Sequence, residues 1–323
     1  MITISTDCSG IECPLIALIE LKILFKQLWS CDVDANCRKA QELNFDKPDT
    51  VYKDIFKRDH SLLPKVDLYI AGFPCQSFSS AGKLRGFTDI RGTIIYQIIE
   101  TIKHSSPECF ILENVKGLLF KKFRNEFEYI LEKLRKLNYN VQYKLLYTND
   151  FGIPQARPRV WIVGLKPKYK RFEYPTPIPL TTTPYDYLET NPIDYKVSEA
   201  TLTKRMIKII NERGVKRNSH LIGKDQFISC NEGFGSRHEF KVPTLMCASS
   251  QYIYSTKLKR TLSLREIARL QGIPDWFQFV SVNSGFKQLG NGQSVNVLMA
   301  LFKQVFISLN TTKKPVIIKK INS

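Results

Sequence analysis

The sequence has no long apolar run, and this absence argues against an integral membrane protein. No window approaches the ~18 consecutive apolar residues of a transmembrane helix, because Glu20 and Lys22 interrupt the stretch that follows Pro14. Residues 1–7 also lack the cationic start and apolar stretch of a signal peptide. We therefore expect neither an integral membrane protein nor an exported one.

Patterns that bind metals are missing as well. None of the eight cysteines forms a CxxC pair, and the chain has only four histidines. A zinc finger or zinc ribbon is therefore not expected, and we predict no metal site. Without an export signal, most of the thiols are expected to be reduced and buried.

Acidic residues are scarce relative to basic ones. The chain has 48 Lys and Arg against 30 Asp and Glu, which gives a formal net charge of +18. This balance excludes an acidic solvating protein and predicts a polyanionic partner, either nucleic acid or an anionic membrane face. With 43% hydrophobic residues the chain can build a core, and its 323 residues predict one large or two moderate domains.

Short apolar runs alternate with helical patterns over roughly the first 166 residues. The runs predict buried strands at residues 2–6, 67–71, 108–112 and 160–165. A helical repeat lies between two of them, with apolar side chains at Phe123, Phe127, Ile130, Leu131, Leu134 and Leu137. This alternation predicts an α/β fold with a doubly wound, mostly parallel sheet, in which ligands bind at the carboxyl ends of the strands.

The composition changes near Lys166. Six prolines lie between residues 167 and 192, and residues 166–260 hold 17 Lys and Arg against 9 Asp and Glu. This predicts a separate, loop-rich basic module, although a solvated charged face would give the same composition. Further along, Ser263 and Glu266 fit a capping box, and an amphipathic helix is predicted from Val295 to Leu309.

A cysteine follows closely on the predicted strand at residues 67–71. Cys75 lies in the sequence Gly-Phe-Pro-Cys-Gln-Ser, at the strand end where α/β enzymes hold reactive groups. A thiol with a pKa of about 8.5 is a few per cent thiolate at neutral pH and is then a good nucleophile. On its own, however, a cysteine is more often a buried structural residue.

Three charged residues lie at other strand ends. Glu113, in the sequence Glu-Asn-Val, can face the same crevice as Cys75, or it can cap a helix or form a salt bridge. Arg157 and Arg159 lead into the strand at residues 160–165. Because residues two apart in a strand face one side, we expect their guanidiniums to point together, towards an anion or a polar base edge. Ordinary surface charge is the alternative.

A turn near the N-terminus has the character of a cofactor loop. Residues 7–12, Asp-Cys-Ser-Gly-Ile-Glu, follow a predicted strand and precede a helix, although a single glycine makes this a weak signal. Asp32 lies near the end of the next strand, where an acidic residue can bind ribose hydroxyls. Asp54 ends the extended stretch after that.

Together these segments resemble the DNA (cytosine-5)-methyltransferases, in the order of that family and over nearly the whole chain. The matching segments are the cofactor loop at residues 7–12, Pro-Cys-Gln at 74–76, Glu-Asn-Val at 113–115, Gln-Ala-Arg-Pro-Arg at 155–159, residues 265–274, and Gly-Asn at 290–291. Several motifs in one order make a strong signal, where each one alone would be weak.

The resemblance implies transfer of a methyl group from S-adenosyl-L-methionine to C5 of a cytosine flipped out of duplex DNA. Cys75 would attack C6 of the ring, and Glu113 would hydrogen-bond or protonate the N3 region. Arg159, with Arg157, would contact the base carbonyl or its phosphate. The loop at residues 76–91 would close on the DNA. Its predicted DNA-contacting residues are Gln76, Ser79 and Arg91.

The same resemblance implies a cofactor site. Ser9, Gly10 and Ile11 would surround the methionine part, Asp32 would bind the ribose, and Val33 would pack near the adenine. The other implied cofactor-binding residues are Asp54, Ile55, Pro74 and Asn291.

Several positions depart from the family pattern. Glu12 replaces the second glycine of the cofactor loop, and we expect its side chain to point away from the cofactor or to touch its amino group. Asp32 stands where glutamate is more usual, and Val33 where an aromatic residue often stacks on adenine. The last motif reads Gly-Asn-Gly-Gln-Ser-Val. None of these changes removes a catalytic group, so we predict an active enzyme.

The resemblance also implies an organisation and a setting. Residues 1–180 would form the catalytic domain, residues 181–284 a target-recognition domain and hinge, and residues 285–323 a segment that returns to the catalytic domain. The expected partner is double-stranded DNA, with the protein a monomer and a restriction endonuclease as an associated enzyme. The expected location is the cytoplasm, or the nucleus or a viral factory in a eukaryotic host.

Two other functions stay open. One is an RNA cytosine-5-methyltransferase of the same fold, similar to the tRNA-directed branch, although the Cys-Phe-Thr segment of that branch is not found here. The other is a DNA-binding protein that keeps the fold without activity. The presence of Cys75, Glu113, Arg157 and Arg159 favours a catalyst.

Overall fold

A computed structural model describes residues 1–73, 93–169, 171–211, 224–230 and 236–309. Within these residues the largest sheet has seven strands, in the order β3-β2-β1-β4-β5-β7-β6. The strands are β1 (Ile2–Asp7), β2 (Phe25–Cys31), β3 (Thr50–Tyr52), β4 (Leu68–Gly72), β5 (Cys109–Val115), β6 (Asn140–Tyr147) and β7 (Pro158–Leu165).

The sheet is mostly parallel and reverses its winding at one point. Strand β1 pairs in parallel with β2 on one side and with β4 on the other, while β7 runs antiparallel to β5. The chain therefore builds one half of the sheet from β1 to β3 and then crosses over to β4. This confirms the predicted doubly wound α/β fold, and its switch point lies between β1 and β4.

Helices alternate with the strands of this sheet. They are α1 (Cys13–Glu20), α2 (Ala35–Asn44), α3 (Ile94–Ser105) and α4 (Arg124–Lys136). In α4 the side chains that the periodicity placed on one face, among them Phe127, Ile130 and Leu134, are buried in the main core. The strands are buried as near-continuous apolar runs, as expected where helices cover a parallel sheet.

Close packing between β5 and β7 depends on a glycine. A Cβ atom at Gly164 would lie 2.2 Å from the Cζ atom of Phe110. The Phe110 ring occupies that space and packs edge-on against Tyr139, with ring centroids 5.0 Å apart. Only glycine lets the aromatic ring cross the strand pair at this height.

The chain divides into two compact units. The first comprises Met1–Leu146, Pro158–Thr176 and the chain from Val297 onwards, and the second comprises Tyr147–Arg157 and Pro177–Asn296. These boundaries differ from the predicted ones, because Tyr147–Arg157 belongs to the second unit and the final return begins at Val297 rather than at residue 285. The returning helix α8 (Val295–Ser308) has the predicted buried face.

Among its described residues, the second unit contains a small sheet and three further helices. Its four strands have the order β11-β10-β8-β9, and neighbouring strands are antiparallel throughout. The elements are α5 (Lys204–Asn211), β8 (Phe227–Ser229), β9 (Arg237–His238), β10 (Ile253–Ser255), β11 (Arg260–Thr261), α6 (Leu264–Arg269) and α7 (Val282–Asn291).

The start of α6 has the predicted capping box. The Ser263 hydroxyl accepts a hydrogen bond from the Glu266 amide, and the Glu266 carboxylate accepts one from the Ser263 amide at 2.7 Å.

None of the helices in the described ranges has both the length and the apolar character that a membrane span requires.

Candidate active site

The end of β5 carries an ion pair. Arg159 Nε lies 2.9 Å from Glu113 Oε1, and the two side chains are only 12% and 9% exposed. The strand register explains the contact. Glu113 is opposite Trp161 across the β5–β7 pair, so Arg159 is the diagonal neighbour of Glu113 on the same face of the sheet. The structure thus brings together two of the predicted catalytic residues, a carboxylate and a guanidinium, at one strand end.

Asn114, which our sequence reasoning left without a role, ties β5 to the end of β4. Its Nδ2 donates to the Phe73 carbonyl at 3.2 Å, and its Oδ1 accepts the Val115 amide at 2.8 Å. Phe73 is the residue before Pro74, so this contact anchors the chain just ahead of the predicted nucleophile. The position of Asn114 inside the Glu-Asn-Val motif was the signal that could have identified it.

Several predicted residues lie outside the described ranges. They are Pro74, Cys75, Gln76, Ser79 and Arg91.

Arg157 does not share the surroundings of Arg159, and the expectation that the two side chains point together is wrong. Strand β7 begins at Pro158, so the alternation assumed for these residues does not include Arg157. The Arg157 guanidinium is buried and donates to the carbonyls of Leu245, Gly290 and Gly292, all in the second unit. These contacts make Arg157 a structural clamp.

This clamp holds the backbone around a predicted cofactor residue. Asn291 is the exposed last residue of α7, and Arg157 Nη2 donates to the carbonyl on each side of it, at 3.2 Å and 2.6 Å. Gly290 is required here for packing, because a Cβ atom would lie 2.3 Å from the Cys247 backbone nitrogen. The Gly-Asn motif is therefore fixed by its neighbours in the second unit.

The cofactor loop connects β1 to α1 beside the switch point of the sheet. Gly10 has a φ of +54°, and the space where a Cβ atom would project is open. Its amide donates to Asp32 Oδ2 at 2.7 Å, and its carbonyl accepts Gln41 Nε2 at 2.7 Å. On either side, the Ser9 hydroxyl bonds to the Cys31 backbone and Ile11 is buried. The loop is held in shape with open space beside its glycine.

The residues predicted to bind the ribose and the adenine differ in how far their side chains are buried. Burial raises the pKa of Asp32, although the amides of Asp34 and Gly10 both bond to its carboxylate. Val33 is 80% exposed, an unusual state for a large apolar side chain. In contrast, Ile55 is buried in the main core, and the Asp54 carboxylate accepts a backbone amide from its own turn. Of the two apolar residues predicted near the adenine, Val33 has a side chain that a ligand can reach, whereas Ile55 is buried.

Glu12, the main departure from the family pattern, points into the protein. It is 1% exposed and has a φ of 58°. Its Oε1 accepts the Thr6 hydroxyl at 2.6 Å and Gln27 Nε2 at 2.7 Å. Burial raises the pKa of Glu12 to about 8, against the effect of these hydrogen bonds. The group is therefore mostly a neutral acid at pH 7, with its side chain beneath the loop.

A buried ion pair lies at the base of the same loop and was not found from the sequence. The Asp7 carboxylate, at the end of β1, pairs with Arg58 through both guanidinium ends, and both side chains are fully buried. The Tyr69 hydroxyl and Trp29 Nε1 also donate to it, at 2.6 Å and 3.2 Å. Arg58 lies 51 residues beyond Asp7 in the chain, and no local sequence pattern predicts a pairing over that distance.

These residues fit S-adenosyl-L-methionine. A carboxylate at the end of β2 suits ribose hydroxyls, the exposed Val33 suits an adenine face, and the open space at Gly10 admits a ligand close to the backbone. Among the described residues, no group of three or more His, Cys, Asp or Glu side chains could hold a metal ion.

Comparison with known proteins agrees with this arrangement. Residues 5–307 match the family model described as C-5 cytosine-specific DNA methylase. The chain is 33% identical to the type II methyltransferase M.DsaV of Dactylococcopsis salina, covering 92% of this chain and 84% of the relative. It is 35% identical to the type II methyltransferase M.HaeII of Haemophilus aegyptius, covering 90% and 89%.

Solved structures share the fold. The S. pombe Dnmt2 methyltransferase superposes with a TM-score of 0.65 at 18% identity, covering 96% of this chain and 99% of that one. A DNA modification methyltransferase encoded within an E. coli prophage gives a TM-score of 0.67 at 20% identity, covering 96% and 100%. The chain therefore shares the fold of these two proteins.

The sequence matches are more specific than the fold. On the family match and the two relatives, the chain belongs to the C-5 cytosine-specific DNA methylase family. It is a DNA cytosine-5-methyltransferase that uses S-adenosyl-L-methionine as methyl donor.

Proposed function

We propose that this chain methylates C5 of a flipped-out cytosine in a short duplex sequence through a covalent adduct between Cys75 and C6. The observation that supports this most is the Glu113–Arg159 ion pair at the end of β5. A carboxyl group and a guanidinium held 2.9 Å apart can engage two polar edges of one planar ring. Asn114 fixes the chain between this pair and the nucleophile segment through its bond to Phe73.

The protein's groups carry the reaction in a defined order. The Cys75 thiolate forms a bond to C6 while Glu113 hydrogen-bonds or protonates the N3 region, which makes C5 nucleophilic. Arg159 holds Glu113 and contacts the base carbonyl. S-adenosyl-L-methionine, when bound, would supply the methyl group for C5 and be left as S-adenosyl-L-homocysteine. Loss of the C5 proton then allows the C6–sulfur bond to break, and Cys75 leaves as a thiolate.

The cofactor would be held by the loop at the switch point. Asp32 binds the ribose and Val33 covers the adenine, while Ser9, Gly10 and Ile11 surround the methionine part. Asp54, Ile55, Pro74 and Asn291 complete the proposed set. Glu12 acts indirectly, as a neutral group that supports the loop from below through Thr6 and Gln27.

The same proposal assigns roles to the two units and names an associated enzyme and a cellular location. The second unit, Pro177–Asn296 with Tyr147–Arg157, would read the target sequence, and the first unit would supply Cys75, Glu113, Arg159 and the cofactor loop. The relatives are named type II methyltransferases, which supports an associated restriction endonuclease and a DNA-associated cytoplasmic location. The protein would act as a monomer.

A trapping experiment tests the adduct. Incubation with cofactor and duplex DNA that carries 5-fluorocytosine should yield a covalent protein–DNA complex, because the fluorine cannot leave as the C5 proton does. Cys75→Ala should abolish the complex and methyl transfer while DNA binding persists. A wild-type protein that binds DNA without forming the complex would favour the catalytically silent alternative.

The substrate is tested in the same preparation. Tritiated-methyl transfer is measured in parallel on duplex DNA and on tRNA, and label is expected in the DNA. Label in tRNA alone would establish the RNA-directed alternative. Bisulfite sequencing of DNA from cells that express the chain then gives the recognition sequence.

A further inference from the structure

A run of positive charge follows β5 directly. Residues 116–124, called the basic turn below, have the sequence Lys-Gly-Leu-Leu-Phe-Lys-Lys-Phe-Arg and contain no acidic residue. They form two consecutive 3₁₀ turns, Lys116–Leu119 and Lys121–Phe123, and enter α4 at Arg124. All of the cations are exposed, namely Lys116, Lys121, Lys122 and Arg124.

Two buried apolar side chains attach the basic turn to the core. Leu118 and Phe123 are buried in the main core. The Phe120 amide donates to the Gly117 carbonyl at 3.0 Å, and the Phe123 amide donates to the Phe120 carbonyl at 2.8 Å. The backbone that carries the cations is therefore ordered before any partner binds, which lowers the entropy cost of binding.

The charges of the basic turn are not neutralised by the protein. Other exposed lysines have acidic partners, such as Lys26 with Asp49 at 2.8 Å and Lys136 with Glu132 at 2.6 Å. Across the part of the chain that the structure describes, none of the basic turn's cations forms an ion pair. Four positive charges in nine residues are thus available to an external polyanion.

The position of the basic turn relates it to the reaction. It begins three residues after Glu113, at the edge of the sheet where the parallel strands β1, β2, β4 and β5 end. A cytosine that reaches Glu113 must enter at this edge. Duplex DNA carries one negative charge per about 1.7 Å of helix axis, so phosphates next to the target base lie along the same edge.

We propose that the basic turn is a DNA-backbone anchor that binds phosphates next to the target cytosine. It positions the duplex over Glu113 and Arg159 and reads no sequence, since phosphate contacts fix register rather than base identity. This inference rests on the proposed role of Glu113. It adds a DNA contact within the first unit to the target reading proposed for the second.

The test compares two variants with equal loss of charge. The anchor variant is Lys121→Gln/Lys122→Gln/Arg124→Gln, and the control is Lys133→Gln/Arg135→Gln/Lys136→Gln at the other end of α4, about 18 Å away. The association constant of each protein for a fluorescein-labelled duplex without the target sequence is measured between 50 and 200 mM salt. Cofactor binding and thermal unfolding are measured alongside.

The association constant of the anchor variant should depend less steeply on salt than that of the wild type. Each lost phosphate contact reduces the steepness of log K against log salt by about 0.9. If three contacts are lost, the wild-type association constant should fall about fortyfold more than that of the anchor variant between 50 and 200 mM salt. The control variant should keep the wild-type slope, and both variants should bind cofactor normally. Equal changes in the two variants, or an unchanged slope in the anchor variant, would overturn the proposal. A wild-type protein that fails to trap 5-fluorocytosine DNA would instead count against the proposed mechanism.

Discussion

Two arginines that are two residues apart have unrelated environments. Arg159 pairs with Glu113 at the end of β5, whereas Arg157 is 1% exposed and bonds to three backbone carbonyls of the second unit. The motif that contains both arginines therefore combines an arginine for which we propose a catalytic role with an arginine that holds backbone carbonyls in place. Sequence spacing alone suggested one shared role.

Replacing each arginine should separate these roles. Arg157→Ala leaves buried carbonyls without a donor, and each such group costs roughly 1–3 kcal/mol, so the free energy of unfolding should fall by about 3 kcal/mol or more. Arg159→Ala removes one partner of a nearly buried ion pair, so it should also lower the free energy of unfolding. It should in addition lose methyl transfer by orders of magnitude under conditions where the protein is still folded, whereas folded Arg157→Ala should keep most of its methyl transfer. Urea unfolding and tritiated-methyl transfer on both variants give the comparison. Equal losses of methyl transfer in the two folded variants would contradict it.

Glu12 should give the protein a particular pH dependence. Its pKa is about 8 in the folded protein and near 4.5 when unfolded, so the unfolded carboxyl ionises first as pH rises. This group therefore lowers stability progressively between about pH 4.5 and 8. Glu12→Gln keeps a neutral side chain and removes this loss, so the variant should gain stability relative to wild type as pH rises from 5 to 9.

Thermal unfolding across that range measures the effect. Glu42→Gln, an exposed change on α2, serves as the charge-matched control and should follow the wild-type pH profile. If Glu12→Gln also follows that profile, Glu12 is ionised in the folded protein.

At the scale of elements, the register of β5 against β7 creates the Glu113–Arg159 ion pair. Residues on neighbouring strands share a face only at a defined offset, and a slip by one residue would move Arg159 to the opposite face of the sheet. Gly164, farther along β7, helps to fix that register because it admits the Phe110 ring.

Gly164→Ala should therefore strain the strand pair. The added methyl group collides with the Phe110 ring, and overpacking of this kind costs about 1–3 kcal/mol. A second change, Phe110→Leu, makes room, so the double variant should be more stable than the sum of the two single losses predicts. Urea unfolding of the four proteins measures this coupling. Strict additivity would mean that the ring and the methyl group do not compete.

At the scale of the whole molecule, the chain enters the second unit twice. It leaves the first unit after Leu146 and again after Thr176, where the sequence had suggested a single insertion from residue 181. Hydrogen bonds explain the earlier excursion. Gln155 donates to the Leu270 carbonyl at 2.6 Å, and the Ala156 amide donates to the Val242 carbonyl at 2.9 Å. Composition gave no sign of it, because this short segment is not unusual in charge or proline.

The sequence by itself determined the α/β class, the buried face of α4, the cap at Ser263, the returning helix and the family. These features depend on hydrophobic periods and short motifs, whose physical chemistry is local. Only the tertiary structure decided that Arg159 rather than Arg157 pairs with Glu113, that Arg58 neutralises Asp7, and that Glu12 is buried as a neutral acid. Such partnerships depend on strand register and burial, which join residues far apart in the chain and leave no periodic trace in the sequence.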